Sequence, residues 1–125
     1  MEKIKKIVLF LLVFLAPYAI ADTLSQSDFY GIWKYTDSEG TLILTFTQNA
    51  WTAQINNDNP MTVEIIRWEF VNNNNVNTFQ IFPNGYRITI RQLNGNIASV
   101  FIYINVEKTH IIMPEFSSDA VITKQ

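Results

Sequence analysis

From Ile32 onward, apolar and polar residues alternate with a period of two, and turn-forming residues break the alternation roughly every 6 to 12 positions. Alternation of that kind sends successive side chains to opposite faces of a strand, so it predicts half-buried β-strands. No stretch keeps a 3.6-residue period over three turns. The one helical hint lies between Leu24 and Tyr30, where Ser25 or Ser27 could cap a single turn before Gly31. The pattern predicts strands over 31–36, 41–47, 50–56, 62–71, 78–82, 86–92, 97–106 and 109–113, with a last one near 119–124. Pro114 and Ser117-Ser118 interrupt the final stretch.

Hairpin registers provide an internal check, because opposed residues share a constant index sum and point to the same face. A turn at Gln48-Asn49 opposes Phe46 to Trp51, Leu44 to Ala53 and Leu42 to Ile55. A turn over Asp37–Gly40 opposes Tyr35 to Leu42 and Trp33 to Leu44. Asn84-Gly85, a strong two-residue hairpin signal, opposes Ile81 to Ile88 and Phe79 to Ile90. The Asn72–Asn77 loop, with four consecutive asparagines suited to turn conformations, opposes Phe70 to Phe79 and Trp68 to Ile81. One apolar face therefore runs through six consecutive strands. The fold class is all-β: an antiparallel up-and-down meander, closed into an eight- or nine-stranded barrel because closure removes the exposed edges.

Strand 97–106 breaks the clean alternation. Val100, Ile102 and Ile104 share one face, and Phe101 and Tyr103 share the other. A two-residue turn at Asn94-Gly95 would put Phe101 opposite Ile88; a three-residue loop over Asn94–Asn96 would put Ile102 there. Either choice leaves apolar side chains outside. They are covered by the N-terminal segment or the 114–118 stretch, or they form a partner-binding patch.

The first 21 residues stand apart from this pattern. Lys3, Lys5 and Lys6 precede an apolar run from Ile7 to Leu15, and Ala19-Ile20-Ala21 is a small-x-small cleavage site. Residues 1–21 thus read as a signal peptide, with Asp22 as the mature N-terminus and a periplasmic or secreted location. The apolar run is shorter than the ~20 residues a membrane span needs, and the mature chain has no transmembrane segment. Residues 22–125 are one domain. They carry six basic and ten acidic residues, a balance that excludes a clustered basic face for nucleic acid. The chain has no cysteine, hence no disulfide, no thiol nucleophile and no thiolate ligand. It also has no Asn-x-Ser/Thr sequon. The Asn- and Ile-rich composition fits a bacterial exported protein.

Gly31-Ile32-Trp33, after a short helical turn and at the head of a meander, resembles the opening of the calycin group. That group includes the lipocalins, fatty-acid-binding proteins, avidins and a family of bacterial metalloprotease inhibitors. The resemblance implies that Gly31 lets the chain enter the first strand tightly, that Trp33 plugs one end of the barrel, and that Lys124 in the last strand packs over Trp33. Departures from the group narrow what it implies. The first turn is tighter than a lipocalin's, and no helix follows the last strand. Lys34-Tyr35-Thr36 replace the polar pattern of avidins, so biotin binding is not implied. The disulfide usual in the protease inhibitors is missing.

Catalytic and metal chemistry find little footing. His110 is the only histidine, and no motif joins it to Ser99 or Glu107. No metal site, cofactor site or catalytic residue is predicted, and the protein reads as a non-enzyme. Glu64, Arg67, Glu69, Arg87 and Arg91 form an outer charged face of cross-strand pairs, each worth ~0–1 kcal/mol. The candidate ligand-binding residues are the aromatics of the inner face: Tyr35, Phe46, Trp51, Trp68, Phe70, Phe79 and Tyr86, with Trp33 as plug. An eight-stranded barrel is just wide enough to be filled by such side chains or to hold one small ligand. Two functions remain open. One is a binding protein for a small apolar ligand entering at the end away from Trp33. The other is a protein–protein module, such as a hydrolase or protease inhibitor, with a filled core. A structural accessory of the envelope is a third.

Overall fold

The computed structural model describes residues 24–117 and 119–125. The expected leader, its expected cleavage site and Asp22 lie outside the described residues. A single 3-10 turn (Gln26–Phe29) leads into eight strands: β1 (Gly31–Asp37), β2 (Gly40–Phe46), β3 (Ala50–Ile55), β4 (Met61–Asn72), β5 (Asn84–Arg91), β6 (Ile97–Ile104), β7 (His110–Ile112) and β8 (Ile122–Lys124). All neighbours are antiparallel and sequential, and β8 returns to β1 to close a barrel. No helix among the described residues is long and apolar enough to cross a membrane.

The first two hairpins follow the predicted registers. Trp33 opposes Leu44 and Tyr35 opposes Leu42; Leu44 opposes Ala53 and Phe46 opposes Trp51. The third region does not. Residues 78–82 are not a strand, and β4 pairs directly with β5, Trp68 opposite Ile88 and Phe70 opposite Tyr86. The predicted pairings of Phe79 and Ile81 therefore do not form, and the barrel has eight strands.

The asparagine run explains the difference. Buried Asn73 donates from its side-chain amide to Thr78 Oγ1 (2.9 Å) and to the Phe82 carbonyl (2.8 Å). Its own Oδ1 accepts from Asn75 N, and Asn75 Oδ1 accepts from Asn77 N. Side-chain amides that satisfy nearby backbone compete with a β-ladder. Residues 75–82 accordingly coil into turns, with Phe79 N bonded to Asn75 O and Phe82 N to Thr78 O.

Gly85 is not a turn residue either. It lies within β5, opposite Val71 on one side and Tyr103 on the other. A Cβ at Gly85 would stand 2.7 Å from Tyr103 Cα and closer still to the Ile102 carbonyl oxygen. This glycine allows close backbone approach between β5 and β6.

A bulge between Ile65 and Arg67 shifts the β4 register by one residue. It places Glu64 on the same outer face as Arg67 and Glu69, which strict alternation would forbid. Arg91 then meets Glu64 (3.1 Å), and Arg87 and Arg67 meet Glu69. Arg87, and after it Arg67, hold the Glu69 carboxyl below its ordinary range.

Strand β6 resolves its open register. Val100 opposes Ile88 and Ile102 opposes Tyr86, across a loop over residues 92–96 longer than either turn considered. Val100, Ile102 and Ile104 are buried, while Phe101 and Tyr103 face outward.

One end of the barrel is closed around Trp33. Gly31 has φ +114°, a conformation that favours glycine, as the chain leaves the 3-10 turn. Trp33 is fully buried, and its Nε1 donates to the Phe29 carbonyl (2.8 Å). Lys124 is its register partner on β8, with Nζ 5.4 Å from the ring centroid and 3.2 Å from the Asp28 carbonyl.

Two stability predictions follow from these contacts, each read by denaturant unfolding. Gly85→Ala should cost about 1–3 kcal/mol, as overpacking does; a neutral result would show that β5 and β6 can part freely. Trp33→Ala should cost about 3–5 kcal/mol, but Lys124→Ala only about 0.5–1 kcal/mol, because the cation is partly solvated. Equal losses for the two would refute the assignment of Trp33 as plug and Lys124 as its cover.

Candidate functional site

The strand directions define two ends. The 3-10 turn, the Gln48-Asn49 turn and the 73–83 and 105–109 connections lie at the Trp33 end. The opposite end carries the connections 37–40, 56–60, 92–96 and 113–121.

The Trp33 end is filled by rings. Trp68 sits at its centre, with ring centroids 6.1 Å from Phe29, 5.7 Å from Tyr30, 5.8 Å from Tyr86 and 6.4 Å from Phe46. Its Nε1 donates to the Gln48 carbonyl (2.9 Å). Edge-to-face arrangements such as Phe29 on Tyr86, 5.6 Å apart at 85°, add ~0.5–1.5 kcal/mol beyond burial. Burial, and after it the charge of Asp28, pushes the Tyr86 hydroxyl up from its ordinary value.

The other end is hollow. One recess of about 470 Å³ is lined by Tyr35, Asp37, Leu42, Leu44, Trp51, Ala53, Ile55, Met113, Phe116, Ser117, Ala120 and Ile122. A neighbouring one of about 440 Å³ is lined by Trp51, Ala53, Met61, Val63, Ile90, Gln92, Leu93, Asn94 and Phe116. The two share Trp51, Ala53 and Phe116 in their walls. Phe116 is two-thirds exposed and meets Trp51 edge-on at 5.8 Å. Trp51 in turn stacks on buried Phe46 at 5.6 Å and 16°. Trp51 Nε1 is buried and reaches no acceptor among the described residues, an orphaned donor of the sort that costs ~1–3 kcal/mol.

Small side chains make this space. Ala53 projects inward opposite Leu44 on β2 and Met61 on β4. At the filled end the corresponding inward positions carry Phe46 and Trp68. Alternation of side is thus the same along the barrel, while the volume carried inward falls toward the mouth.

The seven aromatic candidates separate accordingly. Tyr35 and Trp51 line the hollow, and Phe46 lies behind Trp51. Trp68 and Tyr86 belong to the filled end. Phe70 keeps the inner register, but at the strand's far end it is half exposed and rests on Tyr86 at 5.9 Å. Phe79 lies in the coiled 75–82 segment, 43% exposed, so its placement on the inner face was incorrect. Leu42, Leu44, Val63 and Ile90 also line the hollow and are visible in the same alternation. Phe116 carried no such signal, because it belongs to no strand.

Burial, followed by the charge and hydrogen bond of Asp37 and the charges of Asp119 and Glu39, raises the Tyr35 hydroxyl above its ordinary value. It is a protonated donor at neutral pH. His110 is occupied elsewhere: its Nδ1 is 2.8 Å from Thr109 Oγ1 and 3.4 Å from Asn105 Nδ2. Among the described residues, no three His, Cys, Asp or Glu side chains gather as they would around a metal ion.

The chain matches no known family model, no curated protein and no solved structure.

Proposed function

We propose that this is an exported, calycin-like binding protein that takes a small apolar ligand into the mouth of its barrel, and that it acts by binding and not by catalysis. The observation that carries this reading is the hollow of about 470 Å³ at the end away from Trp33, walled by Leu42, Leu44, Trp51 and Met113. That volume is within the ~300–1,000 Å³ usual for small-molecule sites, and its mostly apolar wall with one phenol and one carboxylate matches their usual chemistry. Kinship with the calycins is supported by Gly31 at φ +114°, by the buried Trp33 and by Lys124 across its ring. Export to the periplasm or beyond is supported by the basic, then apolar, then small-residue order of residues 1–21.

The test is a titration with a neutral naphthyl fluorophore, whose emission rises in an apolar site. Saturable binding is expected. Ala53→Phe should fill the hollow and weaken binding by about tenfold or more, equivalent to about 1.4 kcal/mol. Absence of binding, or binding indifferent to Ala53→Phe, would rule the reading out.

A second reading, the protein–protein module, is favoured by the outer wall. The rings of Phe101 and Tyr103 stack there at 6.3 Å, beside a recess of about 330 Å³ lined also by Asn73–Asn75, Pro114 and Glu115. Glu115 accepts from Phe101 N (3.2 Å), so Pro114 and Glu115 cover the patch in part. On this reading, a hydrolase captured from an extracellular or periplasmic fraction should be released by Tyr103→Ser and kept by Ala53→Phe. The reverse pattern would exclude it.

A further inference from the structure

The charge of this chain is unevenly placed along the barrel axis. Residues 24–125 contain nine acidic and six basic residues. Four of the acids (Asp37, Glu39, Asp58 and Asp119) lie in the turns and strand ends around the hollow mouth, and none of the basic residues lies in those connections; a fifth acid, Glu115, belongs to the 113–121 connection but turns to the outer wall, where it accepts from Phe101 N. Arg91, at the mouth end of β5, is held on the outer wall by Glu64, 3.1 Å away. Arg67 and Arg87 are held by Glu69. Lys108 and Lys124 are at the other end, bound to Asp28 and to the Trp33 ring. Lys34 alternates outward between Trp33 and Tyr35, and it is exposed.

Two polar side chains stand in the wall of the hollow itself. Tyr35 and Asp37 are two residues apart on β1, so they share a face. Both line the 470 Å³ recess, above the apolar floor of Leu44 and Trp51. One Asp37 oxygen accepts from the backbone N–H groups of Glu39 (2.8 Å) and Gly40 (3.2 Å), which fixes the carboxylate at the rim. Three of these groups act on one point: Asp37, Asp119 and Glu39 all press on the Tyr35 hydroxyl with the same sign of charge. An anionic ligand group at this rim would meet the like charge of Asp37, which stands in the wall of the hollow. A neutral group would gain little from the carboxylates. A cation would be attracted, and a cleft with low-dielectric walls focuses that attraction.

Resting on the cavity reading above, we propose that the ligand is an amphiphilic amine, with its apolar body in the hollow and its ammonium group at the rim against Asp37 and the Tyr35 hydroxyl oxygen. The carboxylate supplies a charge-assisted acceptor and the phenol a second acceptor, and an ammonium can use both. The apolar body supplies affinity, and the head group supplies selectivity.

The experiment displaces the neutral naphthyl fluorophore from the purified protein with decylamine, decanol or decanoate, at neutral pH and low salt. Decylamine should displace it at about a tenfold lower concentration than decanol, and decanoate should be the weakest. The advantage should shrink as salt shortens the Debye length from about 10 Å at 0.1 M to about 3 Å at 1 M. Asp37→Asn keeps the acceptor that holds the Glu39 and Gly40 amides, so the hairpin survives, and it should narrow the decylamine-to-decanol ratio several-fold. Asp119→Asn should narrow it less. Equal displacement by the three compounds, or preference for decanoate, overturns this inference while leaving the cavity reading intact. Failure of the fluorophore itself to bind overturns the cavity reading and this inference together.

Discussion

The barrel depends on one contact at its seam. β1 and β8 share only two register pairs, Trp33 with Lys124 and Lys34 with Thr123. β7 is equally short and gives two pairs to each neighbour. Two-residue ladders alone would leave the sheet open. Trp33 supplies what they lack: its ring fills the end of the barrel, its N–H ties the 3-10 turn through the Phe29 carbonyl, and its face carries Lys124 from the last strand. Lys124 also reaches the Asp28 carbonyl, and Gln125 N reaches Ile32 O. The beginning and end of the described chain are thereby joined through one indole.

The hollow follows from that closure. A ring path runs from Phe29 to Trp68, Phe46, Trp51 and Phe116, each step 5.6–6.4 Å between centroids. It fills the barrel from the plugged end to about its middle. Beyond Trp51 the inward positions shrink to Ala53, and the next large ring, Phe116, comes from a connection and not from a strand. The filled end fixes the geometry, so the mouth can keep apolar surface in contact with solvent without loss of the fold. The packed part and the hollow part of one core thus lie at opposite ends.

The hairpins β1–β2 and β2–β3 were legible because their turns are short, and a short turn sets an index sum that alternation then checks. Trp33 and Lys124 were brought together by a resemblance, and Lys124 Nζ stands 5.4 Å from the Trp33 ring. The 73–83 segment was not legible. Thr78, Phe79 and Ile81 mimic a strand, and Asn84-Gly85 mimics its turn, while the deciding interactions are Asn73 and Asn75 side chains bonding to backbone nearby. Trp68 and Ile88 nonetheless share the inner face in both versions: the expected strand would have stood between them, with Ile81 opposite each, and without it they pair directly. The Glu64–Arg67 side switch needed a bulge, and no residue pattern marks a bulge at Ile66 in advance.

The candidate site shows a different limit of the pattern. A period of two tells which wall a side chain joins, but depth along the axis comes from strand tilt and stagger. Seven aromatics on one face therefore looked like one lining, although they occupy three places: the filled end, the mouth and, for Phe79, the outside. Acidic turn residues looked scattered for the same reason. Asp37, Asp58 and Asp119 lie far apart in the chain, and each suits a turn for local reasons. Closure of the barrel in sequential order sends every second connection to the same end, so the acids of the alternate connections gather around one opening. The connections at the Trp33 end keep both signs, with Asp28, Glu107, Lys108 and Lys124. Up-and-down topology thus converts a sequence-level preference for acidic turns into an axial charge separation, with the negative pole over the hollow and the apolar floor beneath it.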